Sequence, residues 1–136
     1  LTVGGSSMFP FLLHRERVLV VPAEPGELAR GDVVVFGSNG RLIAHRLIRT
    51  DRRKQTFITK GDFTLREDPP VTRDEILGKV QAIYRHRRTI YLETPVRTFI
   101  NRLMSRITYF LPPFVWLVGK WRRMTKFVVK SFFLTS

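Results

Sequence analysis

The sequence contains no cysteine. Disulfide frameworks and thiolate chemistry are therefore excluded. Histidine is scarce: His14, His45 and His86 are the only three, and their spacing matches no metal motif. Neither a metal nor a cofactor is expected. Acidic residues almost vanish toward the C-terminus. Residues 1–84 carry 13 Lys+Arg against 10 Asp+Glu, a net of +3. Residues 85–136 carry 11 Lys+Arg against a single acid, Glu93, a net of +10. The first part has a balanced surface. The second suits an anionic partner, a membrane surface or a nucleic acid. Long apolar runs are also missing from the second part. Its longest charge-free run, "ITYFLPPFVWLVG" (107–119), has 13 residues with two prolines inside. A membrane span needs about 20 apolar residues.

What is present is material for a core. Of 136 residues, 43% are hydrophobic and 11 are Phe. That is enough for one folded domain and excludes a disordered tail. Short β-branched and apolar runs separated by turn residues fill residues 1–93. "RVLVVP" (17–22) reads as a strand closed by Pro22. "PAEPGELARGD" (22–32) is a loop, and "DVVVF" (32–36) a buried strand. "GSNG" (37–40) is a hairpin turn, with "RLIAHRLIRT" (41–50) returning from it. "QTFITKGD" (55–62) follows a charged turn, "FTLREDPPV" (63–71) is loop, and "ILGKVQAIYR" (76–85) and "TIYLE" (89–93) are two further strands. The fold class read from this is mainly β (α+β). An antiparallel β-rich sheet or partly open barrel spans residues 1–93, and a basic amphipathic helical tail spans 94–136.

The tail changes period after Pro95. Phe99, Ile100, Leu103, Met104, Ile107, Phe110 and Leu111 recur at helical spacing, with Arg102, Ser105 and Arg106 on the other face. Pro112-Pro113 should break this helix. A second stripe runs from Phe114 through Trp121 to Phe132, flanked by Lys120, Arg122, Arg123, Lys126 and Lys130. An amphipathic helical pair lying in an anionic interface is one reading. A stripe packed on the protein's own sheet is the other.

Chemistry is concentrated around "GGSSMFP" (4–10). A serine alone is a weak nucleophile and needs a base within hydrogen-bond reach. The available groups are His45 in "AHRLI", Lys60 and Asp62 in "TKGD", and Asp68 before Pro69. Antiparallel neighbours could bring a nucleophile, a base and an orienting acid together. Each residue also has a plain structural reading: a turn serine, a core histidine, a Gly-Asp turn, a loop acid.

In order along the chain, "GSSMFPFL", "GDVVVF", "IAHRLI", "TKGD" with a later Asp, and "ILGKV" resemble the conserved boxes of the signal peptidase I family. The closer resemblance is to the branch of archaea, the endoplasmic reticulum and some Gram-positive bacteria, where a His replaces the Lys base. It covers roughly residues 4–84 and makes 1–93 the catalytic domain. It implies Ser7 as nucleophile, His45 as general base and Asp68 as the acid of the triad. Asp62 matches an acidic position near the site with a more structural role. Where many relatives have a Ser hydroxyl for the oxyanion, this chain has Gly5, which leaves the Ser7 backbone N–H and Ser6 for that task. The implied activity is a membrane-associated serine endopeptidase, active on the extracytoplasmic face. Its implied partners are a signal peptide or precursor protein and an anionic membrane surface, with no nucleic acid. Two alternatives stand beside it. One is a non-catalytic basic membrane- or nucleic-acid-binding protein on a decayed peptidase core. The other is a self-cleaving repressor-type peptidase, which would use a Ser-Lys pair.

Overall fold

Seven strands form one antiparallel sheet in the computed structural model, which describes residues 1–110 and 112–114. In chain order they are β1 (Arg17–Val21), β2 (Val33–Ser38), β3 (Arg41–Asp51), β4 (Thr56–Lys60), β5 (Val71–Thr72), β6 (Ile76–Arg85) and β7 (Arg88–Tyr91). One α-helix, α1 (Pro95–Ile107), follows. The sheet order is β1-β6-β2-β3-β4-β5, with β7 also paired to β6. The β-rich α+β class read from the sequence is what the chain adopts.

Local chemistry accounts for most of these elements. Ser38 pairs with Arg41 across a two-residue loop, Asn39-Gly40, in which both residues take positive φ. That is the turn whose twist matches a hairpin, and Asn-Gly adopts it at low cost. β2 is an unbroken apolar run because both its faces are covered. Val33 and Val35 join one core cluster, with Val18, Val80 and Ile83. Val34 and Phe36 join another, with Leu47, Phe57 and Val71. Two short 3-10 turns, Pro25–Glu27 and Arg73–Glu75, lie in segments read as irregular. Pro95 opens α1 at a position that needs no N–H, with Thr94 as its N-cap.

The helix decides between the two readings of its apolar stripe, which faces away from the sheet. Its buried residues are Asn101, Ser105 and, just past its end, Thr108. Its apolar residues Phe99, Leu103, Ile107 and, beyond it, Phe110 are exposed, at 68% for Phe99 and 72% for Phe110. Ser105 thus lies away from the apolar stripe, as its spacing placed it, and faces the sheet, while Arg102 and Arg106 stay exposed. The cause is beneath the helix, where Arg46, Lys60 and Asp62 are all fully buried. Buried charges need polar partners, and a polar helix face supplies them. Gly31 permits the approach: it has φ +100°, and a Cβ there would come within 2.6 Å of the Asn101 backbone. The helix ends at Ile107, and residues 112–114 are again helical. No helix among the described residues is long and apolar enough to cross a membrane. The second amphipathic stripe lies outside the described residues beyond its first member, Phe114.

Candidate active site

The loop that carries Ser7 is tied down from behind. Met8 and Leu12 are buried in the core cluster beside β1, β2 and β6. The Leu12 amide donates to the Met8 carbonyl at 2.9 Å. Arg85, from the end of β6, donates to the Phe11 carbonyl at 2.9 Å and ion-pairs with Glu16. Burial alone would raise the Glu16 carboxyl's pKa; the hydrogen bonds from Arg85 and the Leu13 amide outweigh it and hold the group below the usual range. The backbone that leads into Ser7 is open. A Cβ added at Gly4 or Gly5 would meet nothing within 4 Å.

Strand alternation sorts the residues of β3. His45 lies opposite Val34, and Arg46 lies opposite Val33 and Lys60. Neighbours on a strand point to opposite faces. His45 therefore shares the face of Val34 and Phe36, and Arg46 shares the face of Val33, against α1 and the Phe11 ring. The His45 ring Nε2 lies 2.9 Å from Ser7 Oγ. Its Nδ1 lies 2.6 Å from Asp68 Oδ2. With the ring proton on Nδ1 and donated to Asp68, Nε2 is left to accept from the Ser7 hydroxyl. Asp68 is itself held: Thr59 Oγ1 donates to Oδ2 at 2.7 Å, and the Asp68 amide donates to the Thr59 carbonyl at 2.8 Å. His45 is only 7% exposed, and its ring meets the edge of Phe36. Packing thus fixes the imidazole plane before any ligand arrives.

Asp62 sits elsewhere. It accepts from Arg46 Nε at 2.7 Å and Nη2 at 2.6 Å, and both side chains are fully buried. The remaining Arg46 donor, Nη1, reaches the Gly31 carbonyl and Asn101 Oδ1. Asp62 makes no hydrogen bond to His45. Lys60 Nζ donates to the Gly61 carbonyl at 3.1 Å and to the Thr108 carbonyl at 2.8 Å. Burial pushes the Lys60 amine below its ordinary pKa, and the nearby carboxylates only partly offset this. The amine is held by the Gly61 and Thr108 carbonyls and makes no hydrogen bond to Ser7. Ser7, His45 and Asp68 are brought together. Asp62 and Lys60 form the layer behind them.

Two further residues were not legible as site residues. Thr59 orients Asp68, and its only signal was its place in "TKGD". Gly61 sets the distance between the Ser7 loop and the strand that carries His45. A Cβ there would fall 2.7 Å from the Ser7 carbonyl oxygen and 3.1 Å from His45 Nε2. Gly61→Ala is expected to push these two groups apart. A misplacement on the order of 1 Å costs about 10²-fold in rate, while overpacking costs about 1–3 kcal/mol. Thermal melting read beside peptide cleavage checks this: activity should fall far more than stability.

As for the oxyanion, no hydrogen bond from the Ser6 or Ser7 amide is among those made by the described residues. Among the described residues no cluster of His, Asp and Glu is arranged to hold a metal ion. Comparisons with protein-family models, with curated proteins and with solved structures give no match.

Proposed function

We propose that this chain is a serine endopeptidase of the signal peptidase type, acting at an anionic membrane surface. The observation that carries the reading is the unbroken line Ser7 Oγ, His45, Asp68, with 2.9 and 2.6 Å between its members. Ser7 attacks the scissile carbonyl while His45 Nε2 takes its proton. The Ser7 and Ser6 amides stabilise the negative charge that develops on the carbonyl oxygen. Collapse breaks the C–N bond, and His45 returns the proton to the leaving amine. Water, deprotonated by His45, then hydrolyses the ester on Ser7. Asp68 holds the productive tautomer throughout. The open backbone that leads into Ser7 supports entry of an extended peptide, and the exposed apolar side of α1 supports a lipid-facing position. The resemblance in the sequence suggests a signal peptide or a dedicated exported precursor, cut after small residues on the extracytoplasmic face.

The test is cleavage of a peptide with an apolar stretch followed by small residues, across a range of pH. The imidazole must be neutral to accept a proton, so the rate should fall on acidification with one protonation. A rate that survives His45→Ala, vanishes in Lys60→Ala and still climbs into the alkaline range would assign the base to lysine and overturn the reading.

A further inference from the structure

A cleft of about 740 Å³ opens between the 3-10 turn at Pro25–Glu27, the end of β3 and the start of β4. Four arginines line it, Arg30, Arg49, Arg52 and Arg73, together with apolar side chains that include Ile48 and Phe57. No acidic residue lines it. Two of the four guanidinium groups are neutralised, Arg49 by Glu67 and Arg73 by Glu24. Among the described residues, Arg30 and Arg52 form no ion pair. The cleft thus has two uncompensated positive charges beside an apolar wall, a combination that suits an anion attached to an apolar body.

The cleft is linked to α1 from two sides. Arg30 Nε donates to Ser105 Oγ at 3.0 Å, from the buried face of the helix. Arg49 pairs with Glu67, which accepts from the Tyr109 hydroxyl just past the helix end. The helix carries the exposed apolar ridge of Phe99, Leu103, Ile107 and Phe110. Exposed Arg102 and Arg106 flank that ridge. Apolar side chains above a layer of guanidinium groups match the order of a membrane interface, with acyl chains beneath phosphates. We infer that the Arg30–Arg52 cleft is a binding site for the phosphate headgroup of an anionic phospholipid, seated while the α1 ridge enters the interface. The inference deepens the membrane-surface part of the proposal above and does not depend on the Ser7 chemistry. It places lipid recognition in the β domain rather than only in the basic C-terminal segment.

The experiment uses the full chain with the double variant Arg30→Gln, Arg52→Gln. Arg41→Gln, Arg88→Gln is its charge-matched control, with both changes away from the cleft. Partitioning is measured onto vesicles of phosphatidylcholine with one quarter phosphatidylglycerol, and cleavage of a soluble peptide is measured in parallel. Loss of two basic contacts near the surface should lower partitioning about 30-fold. The control should lose only a few-fold, and soluble-peptide cleavage should be unchanged in both. Equal loss in the two variants would mean diffuse attraction and would overturn the site. So would unchanged partitioning of the double variant. Saturable binding of inorganic phosphate at Arg30 and Arg52, undisturbed by vesicles, would assign a free phosphate ligand and overturn the lipid source. If the unaltered chain ignores anionic vesicles yet cleaves the soluble peptide, the membrane reading and this site fail together, and the peptidase reading stands.

Discussion

Replacing Ser7 with Ala is expected to abolish peptide cleavage, a loss of about 10⁶-fold if the residue is the nucleophile of a working triad. His45→Ala is expected to cost about as much. Its Nε2 lies within hydrogen-bond reach of Ser7 Oγ, at 2.9 Å, whereas Lys60 Nζ is occupied by the Gly61 and Thr108 carbonyls. The double variant should be no worse than either single one. Nucleophile and base perform one step between them, so removing the second has nothing left to remove. Asp68→Asn should fall short of this, at about 10⁴-fold. An amide facing Nδ1 favours the wrong tautomer but leaves the ring packed against Phe36. Turnover of all four variants under identical conditions tests the set. Losses that multiply in the double variant would mean that Ser7 and His45 act independently, which the geometry does not allow.

The second large effect is on stability. Arg46 and Asp62 are both fully buried and joined by two hydrogen bonds. Asp62→Ala would leave a guanidinium in the core facing the Gly31 carbonyl, Asn101 and the Phe11 ring, with no carboxylate beside it. Breaking such a pair on one side costs about 3–5 kcal/mol. For a domain of this size, that is a fall in Tm of roughly 10–20 °C. Asp62→Asn keeps an acceptor and should lose less. Arg46→Met combined with Asp62→Leu removes both charges and should recover most of the loss, because no uncompensated charge remains. The same series separates the roles of the two acids. Asp62→Asn, once folded, should retain far more activity than Asp68→Asn. The reverse order would make Asp62 the acid that orients His45.

The sequence made the strands legible wherever one physical cause dominated. Asn39-Gly40 dictates its hairpin through backbone geometry alone, and the run Val33 to Phe36 reports burial on both faces. β5, at two residues, is too short to carry a period and was read as loop. Met8 and Leu12 belong to a core that their Gly- and Pro-flanked neighbourhood disguises. Which side of α1 turns inward was left open for a different reason. Helical periodicity identifies an apolar stripe but not what the rest of the fold offers to cover it. Here the sheet presents Arg46, Lys60 and Asp62, so the polar stripe turns inward. The triad was legible as a set of residue types in order. The partner of His45 was not legible from residue types alone: the resemblance pointed to Asp68, and the fold supplies the reason, since Arg46 points to the opposite face of β3 and takes Asp62 with it.

The most direct test of the central claim is to catch the ester on Ser7. The full chain is mixed with excess peptide substrate, quenched in acid within a single turnover, digested with trypsin and mapped by mass spectrometry. The account predicts that the fragment 1–15, which holds Ser7, gains the mass of the N-terminal half of the substrate, and that the adduct is absent from Ser7→Ala and His45→Ala. Cleaved product without any adduct on that fragment, together with undiminished turnover by Ser7→Ala, would contradict it.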